Sequence, residues 1–400
     1  MEDFFKMKKI VMGIAALACA ASIFALDFSA TVKMDTDIAR GNDDGIDFLS
    51  VNKKDQKDND ALIISANTDK AGANFQLWYR YDGTDGTSGG NPVVPTADAA
   101  IHVRKVSAWF KPLDMLKVTV GDVSMDSYKE TIFWWHGVYG AKPGSWGAFG
   151  GEYLAGVGAV VDLQPVDNLS FQFGIMPGIG NALVSSKKDY GYKGYAAKAK
   201  YAFDNGSATV IFADKGKDAQ KLIGVGAEFG NNWADGFYGF VNVNFNLGML
   251  AQGKENKNSM TLQGISIDNY FKYQTGALKI QTHLPFVLFK AANGKKAAEK
   301  GEPVYDFVPG LYATAKVIYA LDGISPYFLL SNEPDGDSGW VFGNKDNGNE
   351  FKFSISFQPG ATFNVGAAAF DIAFRGNIKT TDDNKTAFDW KGPCGITIGL

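Results

Sequence analysis

Residues 241–248 read Val-Asn-Val-Asn-Phe-Asn-Leu-Gly, a strict alternation of apolar and polar side chains. A period of two belongs to a β-strand. It places Val241, Val243, Phe245 and Leu247 on one face and Asn242, Asn244 and Asn246 on the other. Such a strand has two homes. In a soluble sandwich the apolar face meets a core and the asparagines meet bulk water. In a membrane barrel the apolar face meets lipid and the asparagines line a water-filled lumen. Recurrence and punctuation of the pattern separate the two.

The pattern recurs from residue 27 onward. Phe28, Ala30, Val32 and Met34 alternate with Ser29, Thr31, Lys33 and Asp35, which leaves no room for an N-terminal plug domain. Segments 61–67, 74–82, 101–110, 116–121, 153–163, 169–175, 195–203, 208–212, 222–229, 265–273, 278–284, 311–320, 324–330, 351–357 and 363–374 read as further strands, and the chain ends in one more, Ile396-Thr397-Ile398-Gly399-Leu400. Gly-, Pro-, Asn- and Asp-rich clusters predict tight turns at 69–72, 111–114, 165–168, 204–206, 231–235, 274–276, 321–323 and 359–361. The other connections are longer and polar, as at 40–60, 83–98 and 251–257. Eight tight turns and nine longer loops predict a single all-β antiparallel barrel of 16–18 strands, and roughly 20 residues per strand and connection suits barrel strands of about 9–11 residues.

The N-terminus reads as an export signal: Lys6, Lys8 and Lys9, then the apolar run 10–24, then Ala25 as the cleavage residue. Met7 is an alternative start, and Cys19 an alternative lipoprotein site. The expected division is 1–25 signal peptide and 26–400 barrel. After cleavage Cys394 is the only cysteine, so no intrachain disulfide can form. Past residue 26 no run reaches the 18 apolar residues of a membrane helix, so a mature chain that spans a membrane does so as a closed barrel. The net charge of −4 excludes the basic footprint of a nucleic-acid binder.

Short turns on one rim and long loops on the other form the asymmetry of outer-membrane barrels. Over residues 27–400 the chain resembles, as a pattern, the outer-membrane porins of diderm bacteria. Its last strand is similar to their assembly signal, with Ile396, Ile398 and Leu400 on one face, and differs in ending on Leu400 rather than on Phe or Trp. The resemblance implies periplasmic turns, extracellular loops, a lipid bilayer as partner, passage of small hydrophilic solutes or ions without a cofactor, and a homotrimer as one open assembly. It also implies that the third long loop, 124–151, folds inward, bringing Glu130, Trp134, Trp135, His136 and Trp146 to a constriction. Packing of these rings inside the rim or in an interfacial girdle is the alternative.

Read with polar side chains inward, the strands predict a wall of Lys33, Lys117, Gln172, Lys198, Lys200, Asn242, Asn244, Asn246, Lys279, Gln281, His283, Lys316 and Lys352. Only Asp35 and Asp371 are read inward against these lysines, so the wall is expected to lean basic and to prefer anions weakly. Catalysis and metal binding find no motif. His102, His136 and His283 are scattered, and Gly224-Val225-Gly226 lies mid-strand with no following helix. The Asp-rich stretches 55–60 and 335–337 read as solvated loop tips rather than calcium sites. Three other functions stay open: a selective channel for sugars or apolar ligands with Trp78, Trp134 and Trp135 as a stacking track, a surface adhesin mounted on a barrel, and a soluble exported sugar-binding protein.

Overall fold

The computed structural model describes residues 27–42, 45–50, 61–81, 99–126, 152–177, 192–214, 221–229, 235–248, 261–301, 304–332, 340–343, 346, 350–381 and 384–399. The expected signal segment 1–25 and the loop 127–150 lie outside them. The described residues form one antiparallel sheet of 23 strand segments that closes on itself. The first strand, Asp27–Asn42, pairs on one side with Ala61–Asn67 and on the other with the last strand, Thr386–Gly399, in the register Thr31↔Gly399, Met34↔Ile396 and Thr36↔Cys394. Five staves hold two segments each, so the barrel has 18. Closure removes the unpaired edge, and with it the cost of exposing backbone N–H and C=O groups to an apolar surrounding.

Side-chain phase follows the alternation. Val225 sits in the middle of Lys221–Phe229 and is 50% exposed, as are its ladder neighbour Val210 and, to a lesser extent, Ile267. One residue on, the inner-face asparagines Asn242 and Asn244 are buried. The outside of the barrel is therefore the apolar side, an inversion of the soluble protein rule. Rings gather on the outer face near the loop rim: Phe342 stacks on Phe351 at 5.3 Å and Trp340 on Phe353 at 5.9 Å, with the Trp340 indole donating to the Ser354 carbonyl at 2.8 Å. Phe110, Tyr201, Phe203 and Tyr319 are exposed at the opposite rim. Among the described residues no helix is long and apolar enough to cross a membrane.

Turns stand at 68–70, 114–115, 167–168, 204–205, 235–236, 276–277, 320–323 and 366–367. The first seven lie within about three residues of the expected positions. The Lys70 ammonium donates to Asp114 across two neighbouring turns, which raises the lysine pKa and lowers that of the carboxyl. Both groups face water, so the pair contributes little to stability.

The eighth turn corrects the sequence reading. Residues 359–361 run through the strand Ser354–Val365, and the chain reverses at 366–367, where Gly366 has φ +58°. Gly360 serves packing instead: a Cβ there would lie 2.5 Å from Tyr327 Cζ and 2.8 Å from Ala373 Cβ. The Tyr327 ring lies over bare backbone. Gly360→Val is expected to destabilise the barrel by about 1–3 kcal/mol, measurable as a lower urea midpoint in detergent or lipid.

Two connections also differ. The loop expected at 40–60 is interrupted by the strand Gly45–Ser50, which pairs with the upper half of the first strand. Residues 285–310, whose pattern predicts a connection, hold the strands Phe286–Ala292 and Tyr305–Leu311 with a short helix between them, Gly294–Lys300. Asn293 caps that helix by accepting from Lys296 N at 2.9 Å, and Gly301 ends it in the left-handed conformation.

Candidate functional site: the inner wall of the barrel

Cross-strand partners share a face, so the register turns single residues into rows around the lumen. One row runs Lys117↔Asp162↔Gln172↔Lys198. A second runs Lys200↔Thr209↔Gly226↔Asn242↔Asp268. A third runs Lys272↔Gln281↔Lys316↔Leu329↔Gln358, with Lys279 in the row next to it. The expected wall residues Lys117, Gln172, Lys198, Lys200, Asn242, Asn244, Lys279, Gln281, His283 and Lys316 thus fall on one continuous inner face. Lys33 joins it opposite Thr397. Asn246 holds the matching register position, opposite Gly264. Gly226 makes room for this face, since a Cβ there would meet Asn242 Oδ1 at 1.7 Å.

Lys352 is the exception. It lies in the exposed stretch 351–353, before the ladder resumes at Ser354. There the stacking of Phe351 on Phe342 and of Phe353 on Trp340 takes the place of strand pairing. Glu130, Trp134, Trp135, His136 and Trp146 lie outside the described residues. For Trp78 and His102 the backbone register makes them direct cross-strand partners.

Charge on the wall is more mixed than the sequence reading held. Asp162, Asp268 and Asp389 face inward beside Asp371, and each has a partner. Gln172 Nε2 donates to Asp162 at 2.6 Å, and His283 Nε2 lies 3.0 Å from Asp268 Oδ1. Lys379 Nζ is 3.0 Å from Asp389. Asp371 accepts from Tyr327 and from Thr362, both at 2.8 Å. Above the Tyr327 ring sits Lys316 Nζ, 4.2 Å from its centroid. Asp162 sits in a strand whose apolar residues do not alternate cleanly. Residues 153–163 are mostly Gly, Ala and Val, so no phase could be assigned to Asp162.

The deepest part of the wall is the cluster around Asp268. That carboxylate is 0% exposed and its second oxygen has no hydrogen-bond partner. Tyr270 lies in the same strand and accepts from Gln281 Nε2 at 2.7 Å, while Asn244 donates to Ser266 at 3.3 Å. Toward the loop rim the inner face turns apolar in two places. Val123, Met125, Val160, Ala196, Ile211 and Ala213 form one buried patch. Val287, Phe289, Ala291, Val308 and Tyr312 form the other, with Val341 packed against it. Nothing in the alternation announces these patches, because an apolar residue in an inner phase reads as a break in the pattern.

Among the described residues, no group of three or more His, Cys, Asp or Glu side chains stands close enough to hold a metal ion.

No protein-family profile and no curated protein matches the chain. Solved structures do. OccK3 (OpdO) of Pseudomonas aeruginosa superposes with a TM-score of 0.51 at 9% identity, covering 94% of this chain and 96% of that one. OccK2 (OpdF) of the same organism gives 0.51 at 10% identity, covering 94% and 97%. A BenF-like porin from Pseudomonas fluorescens Pf-5 gives 0.50 at 10% identity, covering 94% and 99%. Identity at this level speaks for architecture rather than for side chains. The chain therefore has, over nearly its full length, the closed-barrel fold of the outer-membrane porins.

Proposed function

We propose that the chain, freed of residues 1–25, is an outer-membrane channel of a diderm bacterium through which small hydrophilic solutes and ions diffuse passively. One observation carries this reading: the ladder closes within a single chain, polar side chains inward and apolar ones outward. A pore built this way needs no second subunit, so conduction does not depend on whether the barrels trimerise. Selectivity follows from the wall. With Lys33, Lys279 and Lys379 added to the lysines of the three rows, the inner face carries more ammonium groups than carboxylates, and this surplus favours anions weakly.

The loop 124–151 is proposed as the constriction, with Glu130, Trp134, Trp135, His136 and Trp146 as its narrowing side chains. Support comes from the patch of Val123 and Met125, which is buried, faces inward and ends where that apolar loop begins. One of the structural neighbours, the BenF-like protein of Pseudomonas fluorescens, is a porin by name, and that lends the reading an analogy of fold.

Refolded 26–400 in a planar bilayer tests the proposal. Stepwise current increments that scale with bulk salt conductivity are expected, with a reversal potential in a salt gradient displaced toward anions. A folded barrel that leaves the bilayer silent contradicts the channel, and a reversal potential favouring cations contradicts the selectivity.

A further inference from the structure

Near the turn rim the inner wall holds a recess of about 350 Å³ whose lining includes Lys111, Lys117, Lys198 and Lys200. Lys111 and Lys117 come from one side of it, and Lys198 and Lys200 from a stave three positions away. Strands are spaced about 4.8 Å apart, so the Cα atoms of Lys117 and Lys198 stand roughly 14 Å apart, a gap that two lysine side chains can close around a small ligand. The floor between them is polar: Asp162, Gln172 and Ser170.

Each acid in the recess is engaged. Gln172 holds Asp162, and Lys70 from the neighbouring turn holds Asp114. Trp109 sets the first lysine pair, with Lys117 Nζ 4.9 Å and Lys111 Nζ 5.7 Å from its ring centroid. Two ammonium groups drawn to one ring are held near each other, a like-charge arrangement that a multivalent anion would relieve.

We propose that this recess is a binding site for a compact doubly charged oxyanion of the phosphate type, either inorganic phosphate or the phosphate group of a monoester, at the periplasmic end of the pore. This assignment rests on the channel reading only for its place on the transport path. The choice of phosphate follows from the side chains. A planar carboxylate is matched by the rigid two-pronged fork of arginine, and the recess contains none. Lysine ammonium groups are rotatable point charges, suited to a tetrahedral anion whose oxygens point in several directions. Ser170 adds a hydroxyl donor to the same floor. Lipid headgroups are excluded as the source, because the recess opens on the inner face of the barrel.

The test uses the full mature chain in neutral detergent, with inorganic phosphate as the probe at pH 8 and succinate and acetate as comparators, binding being read by equilibrium dialysis. Saturable phosphate binding is expected, weakened about tenfold or more in Lys117→Gln/Lys198→Gln, with heat-modifiable gel mobility confirming that the variant is folded. Lys279→Gln/Lys316→Gln removes the same charge elsewhere on the wall and should leave phosphate affinity within about twofold. Equal losses in the two double variants, succinate binding as tightly as phosphate, or no saturation would each overturn the site. Bilayer conductance of the same preparation keeps the two proposals separate. Conduction without saturable phosphate binding sinks the recess alone, and saturable binding in a silent bilayer sinks the channel alone.

Discussion

Replacing His283 with alanine is expected to destabilise the barrel by about 1–3 kcal/mol, the cost of leaving a buried carboxyl oxygen without its hydrogen-bond partner. Asp268 has no exposure to solvent, and among the described residues its carboxyl group has one side-chain partner, His283, at 3.0 Å. Among the described residues its second oxygen has no hydrogen-bond partner. The double variant Asp268→Asn/His283→Ala removes both partners of the contact, and should cost less than the sum of the two single variants. Urea unfolding of both variants and of Asp268→Asn, followed by tryptophan fluorescence in lipid, completes the cycle. Purely additive losses would mean that the two side chains act independently and that the short contact carries no coupling.

Val225→Arg is the second large effect. Val225 is mid-strand and outward, flanked in the ladder by Val210 and Val243. An arginine there faces hydrocarbon and is expected to cost about 2–4 kcal/mol in a bilayer. Lys200 lies at almost the same depth on the opposite face, opposite Thr209, whose neighbour across the next strand is Gly226. Lys200→Gln is expected to cost less than about 1 kcal/mol, because that charge is held in a polar lumen. Similar costs at the two positions would mean that the faces are not chemically distinct.

Much of this architecture was legible in the residues, for a reason particular to membrane barrels. Lipid permits no unpaired backbone, so each crossing must be a complete strand and each strand must alternate. The asparagine strand could be read from eight residues, and Asp204-Asn205-Gly206 marks the turn between Tyr192–Phe203 and Gly206–Asp214 through the residue types that tolerate it. The sequence was opaque where local chemistry has two uses. Pro359-Gly360 resembles a turn, yet Gly360 is small because the Tyr327 ring lies over it, a contact made with a residue 33 positions earlier in the chain. The helix Gly294–Lys300 is seven residues long and has no buried side chain, so it leaves no amphipathic signature.

The wall was half legible. Single lysines in a clean alternation, such as Lys117 and Lys316, declare their face. Asp162 and Asp268 could not be assigned a face until register placed them opposite Gln172 and Asn242. The recess was invisible for the same reason. Lys111 and Lys117 are six residues apart, but Lys198 reaches them only through three strand pairings. Trp109, which both of the first two lysines approach, reads in the sequence as one more strand aromatic.

The most direct test of an apolar outside around a polar inside is a nitroxide scan of residues 170–175 in lipid vesicles, in a Cys394→Ser background. Phe173 and Ile175 are more than half exposed on the outer face, while Ser170 and Gln172 line the inner one. The account predicts high oxygen and low water-soluble relaxant accessibility at 171, 173 and 175, with the reverse at 170 and 172. Uniform accessibility along the strand, or the opposite phase, would contradict it.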